Sequence, residues 1–174
     1  LDELWSIAND FYHSIEKETG TKMFRLTQVV RLFDSDRQVE KWHRRLLDPE
    51  YSALVAEEPL GLGDCFNYEY GGFVTKFGAH LDTRVFIQLL RKIFEDHWVT
   101  AHCEEQPLEG TTIYCEGVQG ARNPLFEWVK FKPAKGEILT VKIPSLVEDR
   151  IIVRGNIWLL PLGNSIYRAG ATYD

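Results

Sequence analysis

Helical spacing of apolar residues is confined to the first part of this chain, and the later part reads as successive extended segments with no strict strand–helix alternation. That order restricts the fold to the α+β class, with a mixed, largely antiparallel sheet backed by helices. Leu1, Leu4, Trp5, Ala8, Phe11, Tyr12 and Ile15 recur at three- and four-residue intervals, so one apolar stripe predicts a first helix, stopped by Gly20. Met23 to Phe33 is rich in Val, Leu and Phe without that spacing, which predicts two short strands broken near Thr27-Gln28. Asp34-Ser35-Asp36 offers capping oxygens to a second helix, in which Val39, Trp42 and Leu46 share a face before Asp48-Pro49 ends it.

A loop with Pro59, Gly61 and Gly63 leads to expected strands at Cys65–Tyr70 and Gly72–Thr75. His80 then falls in a turn. Asp82 caps a third helix whose Val85, Phe86, Leu89, Leu90, Ile93 and Phe94 predict a broad buried stripe. Trp98–His102 reads as a further strand, followed by a polar linker through Pro107 and Gly110. Extended segments are expected at Thr111–Cys115, Glu137–Ile143, Arg150–Arg154, Ile157–Leu160 and Ile166–Ala171.

With 174 residues the chain can bury one good core and does not require two. Its formal net charge of −6 opposes a phosphate-backbone partner, so nucleic acid is excluded as an expected ligand. The basic run Lys41-Trp42-His43-Arg44-Arg45 lies on a helix between acidic neighbours and reads as a solvated face. No window reaches the ~18 consecutive apolar residues of a membrane span. The start lacks the basic and apolar pattern of a secretory leader, and the only methionine is Met23, so an excerpt of a longer polypeptide or a processed product is expected, the excerpt being favoured. Cys65, Cys103 and Cys115 are odd in number and form no CxxC pair, which suits a reducing cytoplasm with each thiol as a small apolar filler.

Chemistry-bearing patterns are sparse. His97, His102, Cys103, Glu104 and Glu105 supply metal-type donors within one window, but no second pair of ligands closes a tetrahedral site, and no metal is expected. No nucleophile elbow and no Cys beside a base occur, so no catalytic residue is assigned.

Three motifs, in order, carry a resemblance. The run Tyr70-Gly71-Gly72-Phe73-Val74-Thr75-Lys76-Phe77-Gly78-Ala79-His80-Leu81-Asp82-Thr83 has the order glycine, apolar strand, small-residue turn, Leu-Asp, helix. Thr112-Ile113-Tyr114-Cys115-Glu116-Gly117 is an apolar strand ending in a turn, and Pro133-Ala134-Lys135-Gly136-Glu137 follows it. Asn156-Ile157-Trp158-Leu159-Leu160-Pro161 and Tyr167-Arg168-Ala169-Gly170-Ala171-Thr172 complete an aromatic–Pro … Gly-Ala-Thr hairpin. Together they resemble the FAD-dependent amine and amino-acid oxidases, the family of D-amino-acid oxidase, glycine oxidase and sarcosine oxidase.

The resemblance implies the substrate domain of such an enzyme, acting on an amine or amino acid by hydride transfer to flavin. A 2-hydroxy-acid or glycerol-phosphate oxidoreductase is a variant of it. It implies residues 1–110 as the first part of the substrate (cap) domain, 111–130 as a segment of the cofactor domain, and 131–174 as returning strands. Cys115, Glu116 and Gly117 match the turn that meets the cofactor, though the family has small polar residues there and Glu116 must turn away from phosphates. Trp158 and Thr172 match substrate-facing positions; Trp158 as core and Thr172 as a ladder residue remain open on the residues alone. The chain carries no Gly-x-Gly-x-x-Gly unit, so the implied partner is the missing FAD-binding domain of the same polypeptide, with a small-molecule amine or amino acid as ligand. From a different class, a free-standing α+β binding or interaction module fits the same composition.

Overall fold

In the computed structural model, residues 2–100 and 110–171 are described. The chain begins with helix α1 (Asp2–Thr19), then strands β1 (Phe24–Leu26) and β2 (Val29–Leu32), separated at Thr27-Gln28 as the sequence predicts. Helix α2 (Asp36–Leu46) and the short helix α3 (Pro49–Ser52) precede β3 (Gly72–Val74), β4 (Ala79–Leu81) and helix α4 (Thr83–Ile93). The later strands are β5 (Leu139–Lys142), β6 (Ile151–Arg154), β7 (Ile157–Gly163) and β8 (Ile166–Gly170). Strands β3-β2-β6-β7-β8-β5 form a six-stranded sheet, and β1 pairs with β4 in a separate ribbon. Among the described residues every strand pairing is antiparallel except β2 with β6, so the fold is α+β with a mixed, mostly antiparallel sheet.

The core sits on one face of the sheet, where Val30, Leu32, Val74 and Ile152 are buried beneath Leu62. Leu62 belongs to the loop that follows α3, and Leu60 and Phe66 of that loop pack against the same cluster. A charged staple holds the loop down. The Arg150 guanidinium donates to the Leu60 carbonyl at 2.9 Å and to both Glu148 carboxylate oxygens at 2.8 and 2.7 Å. Burial alone would raise the Glu148 pKa; the hydrogen bonds and charge of Arg150 outweigh it and hold the carboxyl below its usual range. Arg150→Met keeps the stem's packing but strands a buried carboxylate, and should cost about 2 kcal/mol and hasten protease cleavage between residues 57 and 66. An unchanged melting midpoint and cleavage rate would show that the loop needs no staple.

Helix α1 meets the β1–β4 ribbon through aromatic contacts. Tyr12 stacks on Phe24 at 5.0 Å, and Phe86 of α4 approaches Tyr12 edge-on at 5.6 Å. The α1 end is tied by Glu16, whose carboxylate accepts from the Met23 and Phe24 amides at 2.6 and 2.9 Å and pairs with Lys22 at 3.2 Å.

Several expectations are corrected. Cys65–Tyr70 is a series of turns, because Phe66 is needed as a plug on the core and Tyr68 donates to the Leu62 carbonyl at 3.4 Å. His80 lies in β4 and pairs with Arg25, so it is a ribbon residue and not a turn residue. Asp34, Ser35 and Asp36 do not cap α2 by a side chain, since the Ser35 hydroxyl donates to Asp34 at 2.9 Å. Asp82, by contrast, caps α4, accepting from the Arg84 and Val85 amides at 3.1 Å each.

The α4 stripe is not buried. Val85, Phe86, Leu89 and Leu90 are half-buried, while Ile93 and Phe94 are exposed. Trp98–Thr100 carries no strand, and residues 101–102 of that expected strand lie outside the described residues. Thr111–Cys115 belongs to no strand and leads into a 3-10 segment, Gly117–Arg122. Cys65 and Cys115 are exposed thiols, not core fillers, and Cys103 lies outside the described residues. Most of the metal-type window, from His102 to Glu105, also lies outside them. No helix among the described residues is long and apolar enough to cross a membrane.

Candidate functional site

The sheet face opposite the core is organised by register. Phe73 pairs with Arg31, Arg31 with Val153, Val153 with Trp158, and Trp158 with Gly170, so one row runs across β3, β2, β6, β7 and β8. Directly opposed residues present their side chains to the same face. The row therefore reads aromatic, cation, aliphatic, aromatic, glycine.

Trp158 is half-buried in this row. Its ring lies over Gly170: a methyl group there would come within 3.1 Å of Trp158 Cζ2 and 3.1 Å of Ile138 Cγ1. The absent side chain at Gly170 is what lets the indole lie along the sheet. Arg168 is two residues from Gly170 on the same strand and so shares the face.

Arg25, whose guanidinium donates to the Pro161 carbonyl at 2.7 Å, and Arg168 both act on His80. Burial first, then the positive charges of Arg25 and Arg168, lower the His80 pKa against the opposing charge of Asp82. The protonated imidazole is thus disfavoured at this position of the β1–β4 ribbon.

Helix α2 closes the other end of the row. Trp42 lies flat on Phe73, with ring centroids 3.7 Å apart and planes within 4° of parallel. Arg31 and Phe73 are residues that the sequence reading did not single out. The available signal was Arg31 itself, a cation at the centre of Val29-Val30-Arg31-Leu32-Phe33.

The Cys115-Glu116-Gly117 turn stands apart from that row. Glu116 is half-buried, and its two carboxylate oxygens each accept from the Asn123 amide at 3.1 Å. Gly117 takes the left-handed backbone conformation with φ +56° and is exposed together with Cys115. No hydrogen bond or ring contact among the described residues joins this turn to Trp158. Thr172, the other sequence-derived candidate, lies outside the described residues.

No protein-family model matches the chain. The structure is similar to the crystal structure of iminodiacetate oxidase from Chelativorans sp. BNC1, at 15% sequence identity and a TM-score of 0.62. The likeness covers 95% of this chain and 55% of that one. The chain thus spans about half the length of this oxidase and shares the fold of that half.

Proposed function

We propose that this chain is the substrate-binding part of an FAD-dependent oxidoreductase that oxidises an amine or amino acid, with the FAD-binding domain supplied by the same, longer polypeptide. One observation carries the reading: motifs in the order of the amine and amino-acid oxidases lie on a fold similar to that of an oxidase of which this chain spans only 55%. Exposed apolar side chains support it. Leu4, Ile7 and Phe11 of α1 and Ile113, Val118, Leu125 and Trp128 of the 111–130 segment face solvent, which suits burial against a further domain.

The residues matched to the cofactor turn fit a backbone role. Glu116 is engaged by Asn123, leaving the exposed main chain at Gly117 as the part able to approach FAD. Bound FAD would accept the hydride leaving the substrate carbon, and the protein's part is orientation. Trp158 is then an apolar wall beside the substrate, with Gly170 leaving room for its ring, and Thr172 a polar contact by resemblance alone. Arg168 on the same face favours a substrate carrying negative charge.

The longer polypeptide, purified with FAD and assayed against small amines and amino acids, should show flavin absorbance and turnover, whereas this chain alone should be colourless. Trp158→Ala in that polypeptide should lower kcat/KM by about tenfold or more while flavin stays bound. Unchanged kinetics would assign Trp158 to packing, and a longer polypeptide that binds no flavin would defeat the reading as a whole.

A further inference from the structure

The groove between α2 and the sheet has about 490 Å³ of space, and Arg31, Lys41, Arg45, Trp42, Phe73 and Val153 are among its lining residues. Its walls are apolar and aromatic, formed by the stacked Trp42–Phe73 pair, Phe33 and Val153. Three of its lining residues are cations, and none is acidic. Arg31 is half-buried, flanked across the strands by Phe73 and Val153, and has no salt bridge or side-chain hydrogen bond among the described residues. Lys41 has none either. The Arg45 guanidinium lies 5.4 Å from the centroid of the Tyr51 ring, and its side chain has no salt bridge among the described residues.

A half-buried guanidinium with no counter-charge among the described residues leaves its donors available to an anion, and two further cations lining the same groove favour negative charge there. The guanidinium fork suits a carboxylate, and the aromatic wall suits a flat or apolar body attached to it.

We propose that this groove binds a small aryl- or alkyl-carboxylate, its carboxylate held by Arg31 with support from Lys41 and Arg45, its apolar part against Trp42, Phe73 and Val153. The groove adjoins Trp158 through Val153 on the same row, but the proposal does not rest on the flavin reading, and its failure would leave that reading untouched, because the test measures equilibrium binding without flavin or turnover.

The chain, with its fold monitored by circular dichroism, is titrated calorimetrically with phenylacetate, with the similarly sized cation phenethylamine, and with inorganic phosphate. Phenylacetate should bind with a Kd of about 1 mM or tighter, and more weakly as salt is raised. Phenethylamine should not bind. Arg31→Gln should weaken phenylacetate binding by about tenfold, and Lys41→Gln, on an exposed helix position, by a smaller factor. If Arg31→Gln melts without cooperativity, Lys41→Gln and the salt series decide. No saturable heat with phenylacetate, equal binding of phenethylamine, or phosphate binding as tightly as phenylacetate would each overturn the assignment.

Discussion

Glu16→Ala should destabilise the chain by about 3 kcal/mol, the largest loss expected from any exchange of a charged residue here. The carboxylate is buried on α1, at 4% exposure, and satisfies two main-chain amides at the entry to β1. Truncation leaves those donors without a partner away from water, and the α1–β1 junction loses the Glu16–Lys22 pair. Those amides, acting first through Phe24 and then through Met23, hold the Glu16 pKa at about 2 against the opposing effect of burial, with Lys22 adding to the lowering.

The sign of the pH dependence follows from that lowering. A carboxyl with a depressed folded pKa contributes stability in full above its unfolded value of 4.5 and loses it as pH falls toward about 2. Denaturant melts across that window should show the parent chain losing more stability than Glu16→Gln, which has no charge to lose. Parallel curves for the two proteins would show that the amides do not depend on the ionised form.

Gly72→Ala should be nearly as costly, at about 3 kcal/mol, and should act on a different part of the molecule. A Cβ at this position would collide with the Arg31 carbonyl oxygen and come within 3.1 Å of the Leu32 Cα, both backbone atoms of the neighbouring strand. Nothing flexible can yield. The β2–β3 pairing has to open, and with it the cover over Val30, Leu32 and Val74. Gly71→Ala is the control. There the φ of +73° imposes conformational strain but the added methyl meets open space, so about 1 kcal/mol is expected. Hydrogen exchange should find the β3 amides unprotected in Gly72→Ala, and retained protection with an unchanged melting point would refute the steric account.

The parts of the fold that could be read directly are those where local chemistry and tertiary packing agree. Asp82 caps α4 as its position before an apolar stripe implies, and Ile157–Leu160 and Ile166–Ala171 lie in the hairpin expected of two extended segments separated by a short turn. The misreadings occur where tertiary demand overrides local preference. Phe66, Tyr68 and Tyr70 alternate like a strand, yet the loop uses Phe66 to close the core and cannot lie flat beside a neighbour. The α4 stripe predicts burial, but burial needs a covering element, and α4 leaves Ile93 and Phe94 in solvent.

The candidate site was legible only in part. Trp158 could be marked from its hairpin, whereas its companions Arg31 and Phe73 are more than eighty residues away and meet it through strand register alone. Register is a long-range property that no local pattern in β2 or β3 records.

The lone parallel pairing, β2 beside β6, joins residues 29–32 to residues 151–154. During synthesis the first of these must wait on the ribosome for more than a hundred further residues before its neighbour exists. Until then the border of β2 that β6 covers in the finished sheet, with Val30 and Leu32 on that strand, has no partner to pair with. Nascent chains halted before β6 should therefore recruit chaperones heavily, and release should coincide with the emergence of Ile152.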